Sequence, residues 1–159
     1  MLRRSNSSSE SAAAADTTVG VRRRAREAAL QLLYQAASGG GHEPGDVDLF
    51  WRSAALEPEG REFAEALFRG YCDRGGEIDR LIDEAAQNWR VDRIARIDLC
   101  VLRMAVCELL SFPETPVSVV IDEAVEIARR FSDEAAPAFV NGVLDRVARR
   151  VRAAGETSG

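Results

Sequence analysis

Residues 92–110, DRIARIDLCVLRMAVCELL, decide the fold of this chain. Ile94, Ile97, Val101, Ala105 and Leu109 recur at three- and four-residue intervals, the spacing of one helical face, and Asp92 stands where an N-cap belongs. The stretch is the expected central core helix. Two acids interrupt it, because at 100° per residue Asp98 and Glu108 project within about 40° of the apolar stripe. A buried carboxylate without a partner is very costly, so the ordinary reading of both is an internal salt bridge or a bond to a neighbouring helix end. Glu108 is the better fit to that role. Asp98, one turn from the helix start, is the better candidate to meet a basic partner.

Downstream, Pro113 and Pro116 break the chain, and Val117, Ile121, Ala124, Val125 and Ala128 mark one face of a helix reaching Phe131. A last helix is expected from Ala136 to Val151, with Phe139, Val140, Val143, Val147 and Val151 inward and Pro137 tolerated in its first turn. Gly142 within it reads as a close-packing position. Upstream, a short helix is expected over Val47–Ala55, a longer one over Glu59–Arg74, and another from Glu77 to about Asn88, closed by Trp89, with Gly75-Gly76 punctuating between them. Val21–Ala37 carries Val21, Ala25, Ala28, Ala29, Leu32 and Ala36 within a stripe about 80° wide, while Arg23, Arg26, Leu30 and Tyr34 cluster on another face. No strand-like alternation occurs. The expectation is an all-α fold, one globular domain of about seven helices over residues 21–152, with residues 1–20 and 153–159 as disordered tails.

A chain of 159 residues with 46% hydrophobic content can bury a real core. It shows no signal-peptide pattern and no 18-residue apolar run, so a cytoplasmic protein is expected. Cys72, Cys100 and Cys107 form no CxxC motif and read as free thiols of a reducing compartment. The one histidine, His42, lies in a glycine-rich loop beside Glu43, a poor setting for a general base. No Walker A sequence, GxGxxG turn or metal-ligand spacing occurs, so neither cofactor nor metal nor catalysis is expected.

The formal net charge is −5, yet six arginines face two acids over residues 1–26, nine face twenty over 27–128, and six face three over 129–152. Basic ends flank an acidic middle. Arg22, Arg23, Arg24 and Arg26 crowd together at the start of the first expected helix, where cations oppose the macrodipole. Something should compensate. Arginine forks onto phosphate oxygens and stacks on bases, and Tyr34 offers an aromatic face further along, so single-stranded RNA is the best-suited ligand.

Four stretches, RRRAREAALQLLYQ (22–35), NWRVDRIARIDLCVLRMAVCELL (88–110), PVSVVIDEAVEIARRF (116–131) and FVNGVLDRVARR (139–150), together resemble the NusB family. The resemblance implies two helical subdomains and a non-enzymatic role in transcription antitermination. It implies binding of boxA RNA together with NusE, a small ribosomal subunit protein, so that RNA polymerase reads through terminators in ribosomal RNA operons. Arg22, Arg23, Arg24 and Arg26 match the family's arginine-rich RNA motif, Tyr34 and Phe139 match aromatic positions near the RNA, and Asp98 matches an acidic NusE-facing position. Some members of the family pair into homodimers. Two other readings stay open: an accessory domain of an RNA methyltransferase, and a helical scaffold or dimerisation module.

Overall fold

The computed structural model describes the backbone of residues 7–40, 43–87 and 93–157, and the side chains of residues 20–40, 43–87 and 93–152. Six helices succeed one another: α1 (Ser7–Ala37), α2 (Pro44–Ser53), α3 (Pro58–Ala86), α4 (Arg96–Ser111), α5 (Val117–Phe131) and α6 (Ala136–Thr157), with no strand among the described residues. The all-α expectation holds, and the helix count differs at one place. Just before Gly75-Gly76 the two expected helices meet at a kink, where Arg74 leaves helical geometry at φ −120°, ψ 19°, and α3 comprises both. Glycine weakens a helix but keeps its backbone donor, which proline does not.

The stretch at 92–110 does form the centre. Val101, Leu102, Met104, Val106 and Cys107 are all buried, so α4 is covered on every side, as a helix apolar around its circumference must be. Helices α1 and α3 pack on each other and on α4; α5 and α6 likewise pack on each other and on α4. These two pairs are the two helical subdomains, and α4 belongs to both. The helix starts at Arg96 after Ala95, which makes no side-chain cap. The Asp92 cap, like Trp89 and His42, lies outside the described residues.

Other ends follow local chemistry. Helix α5 has the expected bounds, with Pro116 at its N-cap. The N-terminus of α6 is closed by Asp133, whose Oδ1 accepts from the backbone N–H groups of Ala135 at 3.1 Å and Ala136 at 3.0 Å, and the helix runs past Val151. Helix α1 starts at Ser7, so the arginine block sits inside a helix and the dipole penalty argued for a helix start does not arise.

Two glycines reverse expectation. A Cβ on Gly142 would meet nothing within 4 Å, so this glycine does not serve close packing. Gly70 of α3 does, since a Cβ there would stand 2.5 Å from Cys107 Sγ, and that thiol donates to the Leu67 carbonyl at 3.4 Å. Replacing Gly70 with alanine is expected to force α3 and α4 apart at a cost of about 1–3 kcal/mol. The melting temperature followed by circular dichroism should fall by roughly 2–4 °C for each kcal/mol lost, and an unchanged melt would show that Cys107 simply rotates away.

Candidate nucleic-acid interface

The four block arginines point in different directions. Arg26 enters the core: its Nε donates to Glu108 Oε1 at 2.8 Å and its Nη2 to Oε2 at 2.7 Å, with the two side chains 4% and 1% exposed. The guanidinium carbon also lies 5.3 Å from the centre of the Phe63 ring. The placement of Arg26 and Leu30 on an open face with Tyr34 is thus corrected, for both are buried. Helices α3 and α4 both cover α1, and their combined footprint is wider than the stripe counted from apolar residues alone. Glu108 meets the internal salt bridge expected of it.

Arg22 is half-buried, with its guanidinium carbon 4.6 Å from the Phe63 ring centre and its Nη1 donating to Thr115 Oγ1 at 3.5 Å. Arg23 forks onto Glu123 of α5, and the hydrogen bond and charge of that carboxylate raise its pKa. Arg24 is exposed and has no ion-pair partner among the described residues.

Arg24 opens onto a cleft of about 430 Å³ that Gln31 and Tyr34 of α1 share with Leu56, Ile97 of α4 and Phe131 at the end of α5. Tyr34 is 41% exposed and Phe131 49%, two aromatic faces at one cleft. Phe131 escapes the sequence reading, which gives it only as the end of a helix. Its signal lay in the arginine before it: the Arg130 guanidinium carbon sits 5.3 Å from the Phe131 ring centre, which fits a ring left at the surface.

Phe139 does not join this cleft. It packs partly buried against the core, and lines a second cleft of about 240 Å³ with Arg93, Ile94, Asp98, Asp133 and Ala136. The structure thus brings together two residues that the sequence assigned to different partners. Asp98 is buried, and Ser132 Oγ donates to its Oδ1 at 2.5 Å. Burial pushes its carboxyl pKa up against the opposing pull of that hydrogen bond.

A third cleft, about 560 Å³, holds Tyr71, Asp79 and Arg103. Arg103 donates to both Asp79 oxygens at 2.9 and 3.0 Å, the Tyr71 hydroxyl donates to the same carboxylate at 3.2 Å, and burial pushes Tyr71 up to about 12. With each group engaged by the others, this is a clamp between α3 and α4. Among the described residues no group of three or more His, Cys, Asp and Glu side chains could hold a metal ion, and no helix is long and apolar enough to cross a membrane.

Chemically, the first cleft offers the Arg24 guanidinium, which has no ion-pair partner among the described residues, an amide and two aromatic rings, beside the Glu27 carboxylate that Arg130 holds; guanidinium and rings suit a phosphodiester with unstacked bases. Comparison with known proteins bears on the same region. The NusB family model matches residues 23–149. The transcription antitermination protein NusB of Sorangium cellulosum is 45% identical over 111 residues, covering 70% of this chain and 79% of that protein. The solved structure of T. maritima NusB superposes with a TM-score of 0.72 at 34% identity, over 80% of this chain and 90% of that one. A structure of the antitermination factors NusB and NusE in complex with dsRNA matches at 0.71 and 26% identity, over 82% of this chain and 97% of that one. With its helical order, its arginine-bearing first helix and matches over most of its length, the chain belongs to the NusB family.

Proposed function

We propose that this chain is a non-enzymatic transcription antitermination factor that binds boxA-type RNA jointly with NusE, within the RNA polymerase complex that reads through ribosomal RNA operons. The observation that carries the reading is the match to a factor solved together with NusE and RNA. Arg24, Tyr34 and the half-exposed Arg22 and Arg23 of α1 supply the RNA surface, and Arg26 supports it from the core. The cleft of Asp98, which Phe139 also lines, is the NusE-facing element. That solved complex contains double-stranded RNA; two exposed rings at one cleft favour unpaired bases here.

A few phosphate contacts sustain only micromolar or weaker affinity at physiological salt. The protein alone is therefore expected to bind boxA RNA weakly, and tightly once NusE supplies a second surface. Fluorescence anisotropy of single-stranded boxA RNA, a scrambled strand and a duplex, each with and without NusE, reads this directly. Equal affinity with and without NusE would count against it, and sequence-blind or absent binding in every arm would favour the scaffold or methyltransferase-accessory reading.

A further inference from the structure

Helices α1 and α5 are not among the closely packed helix pairs; charge joins them. Arg23 donates from Nε to Glu123 Oε2 at 3.1 Å and from Nη2 to Oε1 at 3.0 Å, with the arginine 43% exposed and the glutamate 13%. One turn along α1, Glu27 forms an ion pair with Arg130, whose guanidinium covers the exposed ring of Phe131. Glu126 adds to the negative field at Arg23 and pairs with Arg129 at 2.5 Å. The seam is a run of alternating charge beside the cleft that holds Arg24.

A carboxylate and a phosphate present a similar pair of oxygens to an arginine fork. Arg23 is exposed enough to reach a polyanion, but its fork is closed on Glu123. The pair is neutral as a unit, and an incoming phosphate meets Glu27 and Glu126 around it. Binding there cannot release a salt counterion from Arg23, because the counterion is part of the protein. Arg26 is spent in the core, so among the described residues the members of the block without a carboxylate partner are Arg24, which is exposed, and Arg22, which is half-buried over Phe63.

The geometry points to Glu123, seconded by Glu27 on Arg130, as a built-in competitor that occupies the phosphate-binding edge of Arg23 and holds down the RNA affinity of the free protein. This inference rests on the RNA-binding reading above and adds to it the group that sets its strength. A carboxylate that merely aimed Arg23 at phosphate would act with the opposite sign, since its loss would weaken binding.

The test is an anisotropy titration of boxA-type RNA on the full chain at several salt concentrations, comparing the unmodified protein with Glu123→Gln, Glu27→Gln/Glu123→Gln, Arg23→Ala and Arg23→Ala/Glu123→Gln. Asp73→Asn, at an exposed position of α3, controls for the same change of net charge. Glu123→Gln is expected to bind about three- to tenfold more tightly, with the slope of log K against log salt steeper by about 0.7–0.9, one further phosphate contact. The double Gln variant should gain more, and the gain should vanish in the Arg23→Ala background. Unchanged or weaker binding by Glu123→Gln, or an equal gain from Asp73→Asn, overturns the proposal while leaving RNA binding in place. Absence of RNA binding by the unmodified protein, even with NusE, would instead remove the reading beneath it. Thermal melts of each variant verify that the fold is retained.

Discussion

Glu108→Ala is expected to lose about 3–5 kcal/mol of stability, because it strands the Arg26 guanidinium in the core without its counter-charge. The pair is bidentate, nearly inaccessible to water, and joins α1 to α4. For a domain whose total stability is about 5–15 kcal/mol, that is a large share, and the melting temperature should fall by roughly 6–20 °C. Arg26→Ala should be comparably damaging. Replacing both, as Arg26→Met with Glu108→Leu, should recover most of the loss, since no lone charge then remains inside. If the single variant melted like the unmodified protein, water would have to reach the arginine, contrary to its burial. The same logic warns against reading an RNA-binding defect of Arg26→Ala as a lost contact: the helix that carries the surface would itself be loosened.

Arg24→Ala with Tyr34→Ala is expected to lower RNA affinity by about a hundredfold while leaving the melt unchanged. Stacking on an aromatic ring contributes roughly 1–3 kcal/mol per base, and loss of one phosphate partner adds to that. At 1.4 kcal/mol per factor of ten, the sum is about two orders of magnitude. Both side chains are exposed, so little of the fold depends on them. The salt slope should flatten by about one unit through Arg24, and the Tyr34 part should be insensitive to salt. A loss confined to one RNA sequence would point to base reading rather than this mixture of charge and stacking.

Much of the architecture was legible because helical periodicity and proline are local signals. The apolar spacing from Ile94 to Leu109 marked the central helix, and Pro116 and Phe131 bounded α5 as expected. The interruption expected at Gly75-Gly76 lies at Arg74 as a kink between the two parts of α3, for two adjacent glycines look the same in sequence whether the helix stops or bends. The site was harder. Periodicity assigns an angle on one helix, not which neighbours cover that angle, so it sets Arg26 on the face of Tyr34 although Glu108 needs just such a partner. The answer lay 82 residues away. For the same reason Phe131 reads from the sequence only as a helix boundary, whereas packing puts it at the Tyr34 cleft; Phe139, which periodicity turns inward and the family resemblance pairs with Tyr34, packs partly buried at the cleft of Asp98.

The sharing of α4 between the two helix pairs has a consequence for how the molecule comes apart. Neither pair owns a core that would survive removal of α4, and α4 without both pairs would lay bare an entire apolar circumference. Loss of one half therefore drags the other with it. The two subdomains are halves of a single cooperative unit, and unfolding is expected to pass directly from the intact domain to the open chain with no half-folded protein in between.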